Sequence, residues 1–144
     1  MLKTLSIAAL MVMVAGVIGL WKIHALFSPS PFVIAVQAAA VGLMIWARVT
    51  FGRRSFHPGA NPTAGGLVTS GPYHFIRHPI YTAACLFTWA GVVAHWSWTA
   101  AALGALVLLG AQVRIECEER LIIGDYPEYP EYSRTTKRMV PYLF

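Results

Sequence analysis

Residues 78–112 read HPIYTAACLFTWAGVVAHWSWTAAALGALVLLGAQ, a run without Asp, Glu, Lys or Arg. A single helix over this run would be well over ~45 Å long, whereas the hydrocarbon core of a bilayer is about 30 Å thick. The run must therefore fold back on itself. Its tryptophan-rich middle, residues 95–98 (HWSW), suits the lipid–water interface where the chain would turn. We predict a helical hairpin over 80–113.

Two earlier uncharged segments predict two further spans. No residue from Thr4 to Trp21 is charged, and Pro29 and Pro31 mark a turn before a second span at roughly 31–47. A signal peptide in place of the first span is the weaker interpretation, because no small-x-small cleavage site follows it. Apolar residues make up 57% of the chain and charged residues 12%, about half the share usual in soluble proteins. This composition indicates an integral membrane protein.

Each span must be helical, because lipid offers no partners for unpaired backbone groups. The predicted fold class is all-α, an integral membrane bundle of about four transmembrane helices with a cytoplasmic C-terminal helix and tail. One domain is expected over 1–144. Within it, 1–47 would form two scaffold spans, 48–79 a cytoplasmic loop, 80–113 the hairpin and 114–144 the helix and tail.

The positive charges predict the orientation of the spans. With four spans, ten of the eleven lysines and arginines fall on one side, which also holds the N-terminus, the 48–79 loop and the tail. They are Lys3, Arg48, Arg53, Arg54, Arg77, Arg114, Arg120, Arg134, Lys137 and Arg138. Only Lys22 falls on the other side, so the N-terminus, the loop and the C-terminus are expected to be cytoplasmic. The net charge of +5 is explained by attraction to membrane lipids, and no nucleic-acid partner is expected.

The segment before the hairpin, GPYHFIRHPIY at 71–81, carries the first candidate site residues. Proline is favoured at the first helical position and pushes its predecessor to an extended conformation, so His78 is expected at the entrance of the third span. The backbone N–H groups of a helix start, together with Arg77, favour an anionic ligand group. The alternative is that Arg77 and His78 are interfacial anchors that reach the lipid headgroups.

A cytoplasmic helix is expected to follow the hairpin, from Gln112 to about Ile123. Arg114 with Glu118, and Glu116 with Arg120, stand at i,i+4 and predict solvated ion pairs.

Glu119 has no basic residue on its own face of this helix. Its neighbours three and four positions away are Ile115, Glu116, Ile122 and Ile123. A carboxylate in such surroundings needs a partner from elsewhere. That partner is either Arg77 or Arg138, in a salt bridge within the chain, or a ligand that offers an ammonium group or ribose hydroxyls.

The tail adds aromatic and basic residues. Gly124 and Asp125 would end the helix, and Pro127 and Pro130 would prevent it from resuming. The tyrosines at 126, 129 and 132 recur every three residues, as in a short helix or an extended segment, and could stack on a base, flank a cation or serve in packing. Arg138 could bind phospholipid, or orient a substrate carboxylate or phosphate by paired hydrogen bonds.

The two cysteines predict neither a disulfide nor a metal site. Cys85 falls in a span and Cys117 in the cytoplasmic helix, without partners at the usual metal-ligand spacing.

Taken together, these motifs resemble the isoprenylcysteine carboxyl methyltransferase family, part of a wider membrane group with phospholipid methyltransferases and sterol-type reductases. The resemblance covers about 66–141 and is carried by the 71–81 segment, the Glu118-Glu119 pair, Tyr129, Tyr132, Arg138 and Pro141. The chain departs from the family pattern at Gly65, where histidine is common, and at 124–126 (GDY), where a basic residue and Phe-Gly are usual.

The resemblance implies a multispanning helical enzyme that binds S-adenosylmethionine in a cytoplasm-facing pocket. The residues it implies along the cofactor are Gly71, Tyr73, Arg77, His78, Pro79 and Tyr81, with Glu118 or Glu119 closing over it. It further implies catalytic roles for Arg138 and Glu119.

The expected activity is methyl transfer to the carboxylate of a lipophilic, isoprenylcysteine-like acceptor. Three alternatives are a phospholipid amine N-methyltransferase, an NADPH-dependent sterol-type reductase and a non-enzymatic membrane scaffold. Whether the protein forms a homodimer stays open at this point.

Overall fold

The computed structural model of the protein describes residues 1–52 and 66–141. Its helices, in chain order, are α1 (Leu2–Lys22), α2 (Pro31–Phe51), α3 (Pro79–Ala94), α4 (Trp98–Asp125) and α5 (Tyr129–Thr135), with a short 3₁₀ helix at Gly71–His74. The described residues contain one isolated parallel bridge and no strand. The predicted all-α class is confirmed.

The long uncharged run folds back where its tryptophans predict. α3 ends at Ala94 and α4 begins at Trp98, so the turn occupies 95–97. Ser97 caps α4, because its side-chain oxygen accepts a hydrogen bond from the Ala100 N–H at 3.1 Å.

Proline begins two of the helices. Pro31 is the first residue of α2 and Pro79 the first residue of α3, positions where a missing N–H costs nothing. α2 continues to Phe51, so the loop begins later than the sequence predicts.

Three helices of the described part, α1, α2 and α4, are long and apolar enough to cross a membrane. α3 has 16 residues and a length of about 24 Å, less than the hydrocarbon core. Of the two helices in the hairpin predicted at 80–113, only α3 is short, because α4 continues without a break into the segment predicted as a separate cytoplasmic helix. The outward faces of α1 and α2 are apolar, as a lipid-facing bundle requires.

α4 is the centre of the bundle. It packs against both α1 and α3, and α2 packs against α3. Glycine allows these close contacts: a methyl group on Gly16 would lie 2.8 Å from Val107, and one on Gly110 would lie 2.5 Å from Met13. Between helices in lipid there is no hydrophobic driving force. The close van der Waals contact that small residues permit stabilises the packing instead.

The tail forms α5 soon after α4 ends. Pro130 lies in the first turn of α5, where its missing N–H leaves no helical hydrogen bond unmade. The short-helix alternative for the tail is thereby confirmed. α4 itself ends at Asp125, where Gly124 and Asp125 were predicted to end it, and α5 is a separate helix rather than its continuation.

Candidate active site

The Arg-His segment enters α3 as the sequence predicts. His78 is the residue before the helix, with φ −127° and ψ 56°, and Pro79 follows as its first residue. Upstream, Gly71 has φ +57°, and a Cβ atom there would lie 2.7 Å from Thr50 Oγ1 in α2. Glycine is therefore required where the 3₁₀ helix approaches α2.

The C-terminal tail binds along this segment through its backbone. The Arg77 N–H donates to the Lys137 carbonyl at 2.7 Å, and the His78 N–H donates to the Arg138 carbonyl at 3.0 Å. Thr82 Oγ1 adds a hydrogen bond to the Met139 carbonyl at 2.8 Å. The entrance of α3 and residues 137–139 are thus one structural unit.

Glu119 is the point where three basic side chains meet. Its Oε1 lies 2.9 Å from Arg77 Nε and 3.2 Å from His78 Nε2, and its Oε2 lies 2.6 Å from Arg138 Nη2. The Glu119 side chain is only 8% exposed. Of the partners that the sequence left open, the structure places both Arg77 and Arg138 on this carboxylate. Arg138 also reaches Glu116, at 3.3 Å.

Arg77 is held in place from two further directions. Its Nη1 donates to the backbone carbonyls of Ser133, at 2.9 Å, and of Thr136. The guanidinium group therefore ties α4, α5 and the tail to the start of α3.

Glu118 belongs to a second, adjoining group. Tyr81 donates its hydroxyl hydrogen to Glu118, and Arg114 Nε donates to the same Tyr81 oxygen at 2.7 Å. Arg114 Nη2 lies 3.4 Å from Glu118, and Glu118 Oε2 lies 3.7 Å from His78 Nδ1. The Arg114 side chain is 6% exposed. The prediction that Arg114 and Glu118 form a solvated pair was wrong, because Arg114 lies between α1, α3 and α4.

The neighbouring pair behaves as predicted. Arg120 Nε lies 2.9 Å from Glu116 Oε1, and the two side chains are 62% and 44% exposed.

A cleft opens beside the charged cluster. Its lining is mostly aromatic and aliphatic, with Arg77 and His78 on its polar wall. The lining residues are Phe51, Gly66, Leu67, Val68, Tyr73, Arg77, His78, Ile122, Tyr126, Tyr129 and Tyr132.

A family model for phospholipid methyltransferases matches residues 30–128, more than half of the chain. The chain belongs to the phospholipid methyltransferase family. This match confirms the wider membrane methyltransferase group, whereas the narrower resemblance to isoprenylcysteine carboxyl methyltransferases stays a prediction.

Two curated relatives of this phospholipid methyltransferase family member are named for metal resistance. The cobalt-zinc-cadmium resistance protein CzcN of Cupriavidus metallidurans is 31% identical over 111 residues, which cover 76% of this chain and 47% of the relative. The nickel-cobalt-cadmium resistance protein NccN of Alcaligenes xylosoxydans xylosoxydans is 32% identical over 115 residues, covering 76% and 48%. The chain spans about half the length of these relatives. No solved structure matches it.

The site residues predicted for this family member fall into three groups. Those that line the cleft are Tyr73, Arg77 and His78. Those in the charged cluster that contacts Arg77 or His78 are Tyr81, Glu118, Glu119 and Arg138. Those that shape the backbone are Gly71 and Pro79. Direct contact of the last two groups with a cofactor stays a prediction.

The cleft also contains residues that the motifs do not single out, namely Phe51, Gly66, Leu67, Val68 and Ile122. Four of these are ordinary apolar side chains in a chain full of them, so no sequence signal marks them. The tail tyrosines, considered for stacking, do line the cleft.

Burial raises the pKa of three of the four cleft tyrosines, Tyr73, Tyr129 and Tyr132. Burial raises the pKa of Tyr132 to about 12, although Thr136 and Arg77 act in the opposite direction. Burial also raises the pKa of Tyr73, with further contributions from Tyr132 and Glu118. The pKa of Tyr129 rises for the same first reason, and then because of the nearby negative charge of Glu119. These side chains therefore offer aromatic faces and neutral hydroxyls at any physiological pH.

Part of the predicted 48–79 loop, residues 53–65, lies outside the described residues. Gly65, where the chain departs from the family pattern, is among them. In the described ranges, no group of three or more His, Cys, Asp or Glu side chains is placed to hold a metal ion.

Proposed function

We propose that this chain is a membrane methyltransferase that uses S-adenosylmethionine to methylate a lipophilic acceptor. The observation that carries the proposal is the cleft, where an aromatic lining adjoins Arg77 and His78 at the end of a membrane helix bundle. Membership of the phospholipid methyltransferase family supports the same class of reaction.

The residues present fit the chemical groups of the cofactor. Aromatic faces attract onium centres, and Phe51, Tyr73 and the tail tyrosines supply such faces for a sulfonium. Leu67, Val68 and Ile122 offer apolar surface for a purine ring. Arg77 uses Nε and Nη1 within the chain, and its Nη2 has no hydrogen-bond partner among the described residues, so it can donate to a cofactor carboxylate.

When bound, S-adenosylmethionine supplies a methyl group activated by the positive sulfur. The residues of this chain then have to position the acceptor and exclude water. Glu119 holds Arg77 and His78 at the wall of the cleft, and the tail keeps this wall in place through its hydrogen bonds to residues 77 and 78. Neutral phenols around the cleft place no further anion beside a carboxylate acceptor.

The acceptor we favour is a carboxylate on a lipophilic molecule of the isoprenylcysteine type. A carboxylate is already a nucleophile, whereas an ammonium acceptor must first lose a proton to a base. His78 is the imidazole at the cleft, but its ring nitrogens face Glu118 at 3.7 Å and Glu119 at 3.2 Å. This orientation favours an acceptor that needs no base.

A second candidate is N-methylation of a phospholipid amine. The description of the matching family favours it directly. It would require His78 or a bound water to take the proton from the amine.

We further propose that the site faces the cytoplasm. The support is the sequence itself, because ten of eleven lysines and arginines fall on the side of the Arg-His segment when the chain crosses four times.

The test uses the full chain, purified in detergent and reconstituted in vesicles. Binding of S-adenosylmethionine is measured by calorimetry, and transfer of a labelled methyl group is measured with a prenylated cysteine acid and with phosphatidylethanolamine side by side. We expect binding in the micromolar range or tighter and transfer to the prenylated acid. Arg77→Gln should abolish binding, while Arg120→Gln, an equal charge change on an exposed side chain, should not.

Each contrary result removes a definite part of the proposal. Transfer to phosphatidylethanolamine alone would select the second candidate. Reduction of a sterol-type double bond with NADPH, without methyl transfer, would support the reductase alternative. No cofactor binding at all would leave a non-enzymatic scaffold.

A further inference from the structure

Tyr129 has a buried hydroxyl group whose hydrogen-bonding capacity is not satisfied by the described part of the protein. It is the first residue of α5, lines the cleft and is 3% exposed. Its hydroxyl oxygen has no hydrogen-bond partner among the described residues. Ser6 Oγ and Trp89 Nε1 share this property, but neither of them lines the cleft.

The neighbouring tyrosines are satisfied within the protein. Tyr132, one turn further along α5, donates its hydroxyl hydrogen to the Tyr73 carbonyl at 2.5 Å. Tyr81 donates to Glu118. Buried hydroxyl groups in native proteins are nearly always paired, because an unpaired one loses its hydrogen bonds to water without replacement. The Tyr129 hydroxyl is therefore an exception that calls for a partner.

Glu119 is the nearest partner within the chain, but its oxygens already face three basic side chains. They accept from Arg77, His78 and Arg138 at 2.6–3.2 Å. The negative charge of Glu119 acts on the Tyr129 hydroxyl, but this hydroxyl makes no hydrogen bond of ordinary geometry in the described part of the chain. Tyr129 thus lines the cleft together with Arg77 and His78, and its hydroxyl lies within the electrostatic reach of both Arg77 and Glu119.

We propose that Tyr129 is a cofactor-contact residue whose hydroxyl hydrogen-bonds to S-adenosylmethionine in the cleft. This inference rests on the proposed function. The cofactor is the favoured partner over the lipophilic acceptor, because it carries carboxylate, ammonium and ribose groups that suit the polar wall of the cleft. An unpaired buried hydroxyl also makes ligand binding selective, because a ligand that offers it no hydrogen bond binds less well.

The experiment compares Tyr129→Phe with Tyr132→Phe in the full chain. Both changes remove one oxygen and keep the ring, so Tyr132→Phe is a matched control for a hydroxyl that is paired within the protein. Two quantities are measured: the unfolding temperature without cofactor, and the dissociation constants of S-adenosylmethionine and S-adenosylhomocysteine.

We expect Tyr129→Phe to unfold at the wild-type temperature or above it, because no internal hydrogen bond is lost. Its affinity for both cofactor forms should fall by about fivefold, the usual effect of one hydrogen bond. Tyr132→Phe should unfold at a lower temperature than the wild type, because the Tyr73 carbonyl loses its donor.

Two results would overturn the inference alone. One is wild-type cofactor affinity in Tyr129→Phe. The other is a lower unfolding temperature for Tyr129→Phe, with or without weaker binding, which would show that the hydroxyl is paired with Glu119 in the free protein. If the unaltered protein binds neither cofactor form, the proposed function fails and the inference fails with it.

Discussion

Arg77 Nε and Glu119 Oε1 lie 2.9 Å apart, although 42 positions separate the two residues in the sequence. This ion pair joins the entrance of α3 to the last turns of α4, and His78 and Arg138 share the same carboxylate. The positions of Arg77 and His78 in the wall of the cleft therefore depend on the Glu119 carboxylate.

Glu119→Gln should destabilise the protein strongly. The change leaves buried basic groups without their counter-charge, which typically costs about 3–5 kcal/mol. Thermal unfolding in detergent measures the effect. Glu116→Gln, three residues earlier on an exposed pair, is the control and should cost less than about 1 kcal/mol. Equal stability of the two variants would contradict a central role for Glu119.

Arg114→Lys should also destabilise the protein, despite its conserved charge. Arg114 donates to the Ser6 carbonyl at 3.0 Å, to Tyr81 at 2.7 Å and towards Glu118, and an ammonium group cannot reach all three. We expect a loss of about 2 kcal/mol in the free energy of unfolding. Arg120→Lys alters an exposed arginine of the same helix and should leave the stability almost unchanged. An equal loss of stability in both variants would contradict the role given to the buried contacts of Arg114.

Gly91→Ala should reduce the yield of folded protein. The added methyl group would lie 2.3 Å from the Leu26 carbonyl oxygen and 2.6 Å from that of Ala25, and backbone atoms cannot move aside cheaply. Overpacking of this kind costs about 1–3 kcal/mol. Gly42→Ala is the matched control, because a methyl group there meets nothing within 4 Å and alanine favours the helix. Size-exclusion profiles and unfolding temperatures compare the two variants, and the prediction fails if Gly91→Ala matches Gly42→Ala.

The protein should lose stability in strong alkali as its cleft tyrosines ionise. Burial raises the pKa of Tyr132 from the ordinary value of 10.0 to about 12, so folding favours the neutral phenol. The resulting stabilisation is present in full below pH 10 and is lost as the pH rises towards 12. In a pH titration of the folded protein, the absorbance of tyrosinate should rise in a step well above pH 10, and this step should be smaller in Tyr132→Phe. The prediction is contradicted if every tyrosine of the folded protein titrates near the ordinary pKa of 10.0.

The sequence was most informative about the spans and the hairpin. A charge-free run too long for one crossing has to turn, and tryptophans at 95–98 mark the place. It was least informative about burial within the helix that carries the glutamates. The spacing of Arg114 and Glu118 is the same as that of Glu116 and Arg120. Yet Arg114 is buried and Glu118 partly buried, whereas the other two side chains are exposed. Spacing along one helix does not reveal which face another helix will cover.

By itself, the sequence determined a membrane bundle and an Arg-His segment at the mouth of a span, because charge and hydropathy act locally along the chain. Only the tertiary structure decided that the tail pairs with residues 77 and 78 and that Glu119 contacts Arg77, His78 and Arg138. It also decided that the buried Tyr129 hydroxyl has no hydrogen-bond partner among residues 1–52 and 66–141. These contacts join residues that are far apart in sequence, and they are fixed by the packing of α1, α3 and α4 rather than by any local pattern.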